Sequence, residues 1–313
     1  MRIVSLLPAA TEIVAALGLG DRLVGRSHEC DRPPGVRRLP AVTRGLLTAD
    51  PADPAAIDRE VAARAAAGEA LYALDEEALA SARPDLIVTQ SLCGVCAVAE
   101  DAVAAAAAAL PSRPAVLSLA PSTLEGVIDS ALAVGAAAGA PEAAARLAAG
   151  LRARLDALRR RVAGRPRPRV VCLEWLEPPF LAGHWVPDQV AAAGGRDPLA
   201  RPGLPSARAT PAEVAAAAPE ALVLMPCGWG LDEAAAAASS AAFLRDFGDT
   251  PAVRAGRVAA VAAGDLFSRP GPRLVDGAEL LAALLHPEVA GPPDPAAGRW
   301  LAPAPPVAGA RAD

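Results

Sequence analysis

The chain has 313 residues with a net charge of −5, and all thirty of its cations are arginine. That length suffices for two ordinary domains or one large α/β unit, while the acidity removes the electrostatic footprint that a nucleic-acid partner needs. Hydrophobic residues reach 53%, but alanine supplies much of this, and no run of about 18 strongly apolar residues predicts a helix inserted in a membrane.

Residues 3–7 read as a buried strand and 11–19 as the helix that follows it. Pro8, Thr11 and Glu12 interrupt the opening apolar stretch, so it lacks the h-region of a secretory signal. The expected location is cytoplasmic; a periplasmic or extracellular one follows only if the true start lies upstream. Five cysteines, an odd number, point to free thiols or metal ligands rather than a disulfide framework. Further strands read at 23–25, 86–89 and 115–119, then at 169–173, 221–225 and 257–261, alternating with alanine-rich helical segments. This alternation predicts α/β architecture with parallel sheets: two Rossmann-like lobes, at residues 1–120 and 165–289, with a ligand cleft between them.

The region between the lobes, 121–164, reads as helices. Ser122-Thr123-Leu124-Glu125 predicts a capping box with Ser122 as N-cap. Gly139-Ala140-Pro141 breaks the helix, and a second, long and rigid one runs from 142 to about 162, roughly 30 Å at 1.5 Å per residue. Arg152, Arg154, Arg159, Arg160 and Arg161 in its last turns suit the negative end of the helix dipole and read as a solvated helix end. Residues 290–313, rich in Pro, Ala and Gly, are expected to be a disordered tail.

Ligands of open parallel sheets sit beyond the carboxyl ends of the strands. The loops there are 27–31, 90–96, 172–175, 183–185 and 227–229. Three His, five Cys and four Trp are present, and all but His286 and Trp300 fall in these loops. Two chemistries compete. One is a metal centre with Cys30, Cys93, Cys96 and His184 as ligands, zinc or iron as the metal, and Glu29 or Glu174 as general base of a metal-dependent enzyme. Cys93-x-x-Cys96 fits a two-thiolate half-site, two packed small residues on the first turn of a helix, or a redox pair at a helix start. The other is a large planar ligand held by Trp175, Phe180, Trp185, Trp229 and Phe267, anchored by polar groups among His28, Glu29, Gln90 and Glu174 and by the guanidinium groups of Arg269 and Arg273. Cys172, inside a strand, reads as core, and His286 as a helix-terminal residue.

The ordered set Ser5-Leu6-Leu7-Pro8-Ala9-Ala10-Thr11-Glu12, Asp31-Arg32-Pro33-Pro34, Pro84-Asp85-Leu86-Ile87-Val88, Pro178-Pro179-Phe180 and Asp265-Leu266-Phe267-Ser268-Arg269-Pro270-Gly271-Pro272-Arg273 resembles the cobalamin-binding proteins of ABC importers. That family belongs with siderophore, haem and metal receptors built from two α/β lobes and one linking helix. The resemblance implies a binding protein, not an enzyme, for a corrinoid such as cobalamin, with Phe180, Asp265, Phe267 and Arg269 lining its site. Cys30, His28 or His184 would then be the donors able to approach the cobalt. It also implies a permease partner met through Glu100 and Glu213. His28-Glu29-Cys30, Cys93 with Cys96, and Glu174-Trp175 with His184-Trp185 depart from the importer pattern.

Overall fold

The computed structural model describes residues 1–50, 53–91 and 98–301. They form two compact units, Met1–Arg154 with Arg269–Pro272, and Leu155–Ser268 with the chain from Arg273 onward.

The first unit is built on β1 (Ile3–Ser5), α1 (Pro8–Ala16), β2 (Leu23–Arg26), β3 (Thr43–Gly45), α2 (Pro54–Ala67), β4 (Tyr72–Leu74), α3 (Glu76–Ala82), β5 (Leu86–Gln90), α4 (Glu100–Ala109), β6 (Ala115–Leu119) and α5 (Leu124–Ala137). Its main sheet has the order β2-β1-β5-β6 with every pairing parallel. Alternation along the two central strands assigns their faces. Ile3, Leu86 and Val88 pack with Ile13, Val14, Ala131 and Val134 of α1 and α5, while Val4 and Ile87 pack with Leu79 and Val103 of α3 and α4. Both faces are therefore apolar, as a parallel sheet covered by helices requires. The strand β3 pairs antiparallel with β4 in a separate ribbon.

Helix α1 starts at Pro8, three residues earlier than the apolar periodicity predicts, because proline suits the first helical turn. The expected cap of α5 is corrected too. Thr123, not Ser122, is the N-cap, its Oγ1 accepting from the Gly126 amide at 3.0 Å. Glu125 is thereby freed from a capping box and accepts from Arg152 Nε at 2.6 Å. Helix α6 (Pro141–Val162) has 22 residues, about 33 Å, and the boundary between the units falls inside it.

The second unit follows with β7 (Val170–Leu176), β8 (Pro179–Leu181), α7 (Val186–Ala192), β9 (Ala207–Arg208), α8 (Pro211–Ala216), β10 (Ala221–Leu224), α9 (Leu231–Ala237), α10 (Ala241–Phe247), α11 (Pro251–Arg254), β11 (Val258–Val261), α12 (Ala263–Leu266), α13 (Leu274–Leu285), α14 (Pro287–Ala290) and β12 (Gly298–Trp300). Its sheet, ordered β12-β11-β10-β7-β8-β9, is mixed rather than wholly parallel as expected. The strands β7, β10 and β11 are parallel, while β8, β9 and β12 add antiparallel margins. The two-residue connection from β7 to β8 permits only an antiparallel partner. Val171, Leu173, Leu222 and Leu224 bury one face against Phe243, Phe247 and Val214.

The expectation of disorder from residue 290 is overturned as far as residue 301. Gly298–Trp300 pairs with β11, and Arg257 stacks on the Trp300 ring at 4.8 Å. Three strand residues beside a proline-rich stretch are too few to show a period in the sequence. His286 caps the end of α13 and is buried, and Cys172 is buried inside β7.

Candidate functional site

In the second unit the chain leaves β7 toward β8 on one side and β10 toward β11 on the other, so the carboxyl ends of β7 and β10 form a switch point where α/β sheets take ligands. The site residues are positioned by a bulge. Leu173 pairs with Leu181 and Trp175 with Phe180, leaving Glu174 as the extra residue. A bulge re-aims side chains at the end of a strand. Here both Glu174 carboxylate oxygens accept from the Ser206 hydroxyl, at 2.9 and 2.8 Å. The neighbouring Trp175 meets Trp229 at 5.9 Å between ring centroids, tilted by 58°. Both rings are half-buried. The Cys227 amide continues the ladder to the Glu174 carbonyl at 3.1 Å, which fixes the loop carrying Trp229. Phe180 lies under the Arg208 guanidinium at 5.3 Å.

His184 stands beside this group with φ +51°, a left-handed conformation rare outside glycine. Its amide donates to the Leu204 carbonyl at 2.7 Å and its carbonyl accepts from Gly203. The preceding Gly183 has no room for a Cβ, which would overlap the backbone of Leu204, Pro205 and Ser206. This close approach holds Ser206 where it reaches Glu174. The His184 ring stacks on Trp185 at 5.3 Å, and burial lowers its pKa.

Trp185 and Phe267 do not form the expected ligand wall. Both are buried, and Trp185 Nε1 donates to the Phe267 carbonyl at 2.6 Å. A buried indole needs such a partner. Asp265, another expected site residue, pairs with Arg273 at 3.0 Å.

In the first unit, the loop after β2 gathers His28, Glu29 and Cys30. Thr43 Oγ1 lies 2.7 Å from His28 Nδ1, accepts from the His28 amide at 3.0 Å, and donates to Ser27 Oγ at 3.2 Å. Tyr72 donates its hydroxyl to Glu29 at 3.0 Å, and its ring lies 5.4 Å from that of His28. Burial lowers the His28 pKa, against the pull of Glu29. Cys30 is buried, with its Sγ 3.1 Å from Thr11 Oγ1, and burial pushes its thiol up. Enclosed in this way, the thiol is not open to a ligand as the loop stands. Gln90 is buried at the end of β5. Arg269, returning from far along the chain, pairs with Asp31 at 2.6 Å and Glu12 at 3.7 Å.

Cys93 and Cys96 lie outside the described residues. Among the described residues no three His, Cys, Asp or Glu side chains gather closely enough to hold a metal ion. Glu100 is exposed in the first turn of α4. Glu213 completes a capping box with Thr210 at the start of α8, and these hydrogen bonds hold its pKa down. Sequence reasoning missed Tyr72, Ser206 and Thr43. The one tyrosine in the chain was itself a scarce-residue signal, whereas nothing local marks a serine or threonine that acts through a partner distant in sequence.

The sequence profile of the family described as periplasmic binding protein matches residues 3–268. Among solved structures, the periplasmic vitamin B12 binding protein BtuF of Vibrio cholerae is similar, with 23% identity, a TM-score of 0.66, and 92% of this chain and 97% of that one covered. The apo periplasmic heme-binding protein RhuT from Roseiflexus sp. RS-1 has 24% identity, a TM-score of 0.67, and 92% and 98% covered. A periplasmic heme-binding protein from Pseudomonas aeruginosa has 22% identity, a TM-score of 0.68, and 92% and 93% covered. At these identities the likeness speaks for the fold. No curated protein matches.

Proposed function

The chain belongs to the periplasmic binding protein family, and from that premise we propose that it binds a corrinoid of the cobalamin type and passes it to an ABC permease. The observation that carries this reading is the Trp175–Trp229 pair beside the Glu174 carboxylate at the β7–β10 switch point. Two indole faces suit a large, flat, partly apolar ligand. A carboxylate accepts hydrogen bonds and cannot donate them, so it favours ligand amide N–H groups over ligand carboxylates.

The arginines support the same choice. Arg269 is already paired with Asp31 and Glu12, and Arg273 with Asp265. A propionate-bearing haem would have to compete with these carboxylates for either guanidinium, whereas the amide-rich rim of a corrinoid carries no such charge. The exposed Glu100 is the residue we assign to permease docking in the first unit; Glu213 is engaged in its helix cap.

Titration of the protein with cobalamin, followed by quenching of tryptophan emission, tests this. Trp175→Ala and Trp229→Ala should each weaken binding by roughly 10- to 100-fold. Trp300→Ala, on the margin of the same sheet, should leave it unchanged. Equal binding by all three variants would remove the aromatic pair from the site.

A further inference from the structure

Residues 159–169 read Arg-Arg-Arg-Val-Ala-Gly-Arg-Pro-Arg-Pro-Arg, with six arginines in eleven residues and no acid. Helix-dipole complementarity accounts for Arg159, Arg160 and Arg161 in the last turn of α6. It does not account for the charge that continues past the helix end. Gly164, at φ +75°, turns the chain, and the Arg165 amide closes the turn on the Val162 carbonyl at 3.1 Å. Arg159, Arg160, Arg161, Arg165 and Arg167 are all exposed. Arg196 joins them from the loop after α7. Its amide donates to the Pro168 carbonyl and its carbonyl accepts from Val170, both at 2.9 Å, so its backbone lies directly beside the run.

The acids around this patch are few. Asp156 takes Arg159 at 3.0 Å and Glu220 takes Arg169 at 3.4 Å. Glu288 faces His286 at 3.8 Å, and Asp197, next to Arg196, accepts from the Leu199 amide at 2.8 Å. Among the described residues no carboxylate pairs with Arg160, Arg161, Arg165 or Arg196. Without the six arginines of the run, the net charge of −5 would be −11, so the chain concentrates positive charge here against its overall sign.

We propose that this patch of the second unit binds the anionic surface of a phospholipid bilayer. Guanidinium groups match phosphate oxygens in fork geometry, and basic residues near an anionic leaflet each add to adsorption without any insertion. A bilayer is favoured over a nucleic acid because the run holds no aromatic side chain to stack on bases and no Asn or Gln to read them. The inference goes beyond the ligand reading and does not depend on it.

The test is co-sedimentation of the full chain with vesicles of phosphatidylcholine alone or mixed equally with phosphatidylglycerol, at low and high salt. Binding is expected only to the mixed vesicles and should weaken with salt. At about fivefold per guanidinium, Arg160→Glu/Arg161→Glu/Arg165→Glu should reduce it on the order of a hundredfold. The charge-matched Arg38→Glu/Arg59→Glu/Arg113→Glu in the first unit should reduce it far less, and far-UV circular dichroism checks that both variants are folded. Absence of binding to the mixed vesicles, equal loss in the two triple variants, or tighter binding to duplex DNA than to the vesicles would each overturn the proposal.

Discussion

Asp197, in the loop after α7, shows how one side chain sets the pH response. Burial pushes its carboxyl up to about 6 from 3.8, against the Leu199 amide that donates to Oδ1 at 2.8 Å. The folded chain therefore holds a proton that the unfolded chain releases, and stability falls as pH rises from 3.8 toward 6. Asp197→Asn keeps the acceptor for Leu199 and removes the ionisation. Chemical denaturation should find the variant more stable at pH 7 by up to about 3 kcal/mol, with the difference vanishing below pH 3.8. A destabilised variant at pH 7 would refute the burial argument. His28 and His184 act in the opposite sense: their lowered pKa values give stability that is whole above 6.5 and is lost as pH falls through the folded values. The same scale shows where sequence reading stops. Scarcity of type singled out Trp175 and Trp229, but could not distinguish them from Trp185 and Phe267, which are buried. Burial depends on what packs on a residue from distant sequence.

At the scale of elements, the approach of α5 to α6 rests on Gly135, where a Cβ would overlap that of Ala144 and press on the Ala140 carbonyl at 3.1 Å. Gly135→Ala should therefore destabilise the protein by about 1–3 kcal/mol, despite alanine's better helix propensity. Thermal unfolding of this variant beside Gly150→Ala, where a Cβ meets nothing within 4 Å, separates the two effects. The second substitution should be neutral or stabilising. The strands whose side chains are buried on both faces, such as Leu86–Gln90 and Ala221–Leu224, were legible because they form short apolar runs between polar breaks. The strands β8, β9 and β12 were not, since two or three residues cannot establish a period and their partners lie across a turn or far along the chain.

For the whole molecule, alternation of strand and helix was enough to predict α/β architecture, and the break at Gly139-Ala140-Pro141 a long helix after it; the structure has both. What alternation could not predict was the sheet of the second unit, where a two-residue turn makes β8 antiparallel to β7 while β9 and β12 return antiparallel after connections that contain helices. Alternation is also silent on the carboxylates that meet Arg269 and Arg273, on which the proposed preference for a corrinoid over a carboxylate-bearing chelate rests. Calorimetric titration of the reduced protein with cobalamin, run in parallel with haem, tests that preference most directly. Saturable one-to-one binding of cobalamin, tighter than that of haem, is the predicted result. Binding of haem alone, or no heat with cobalamin, would contradict it.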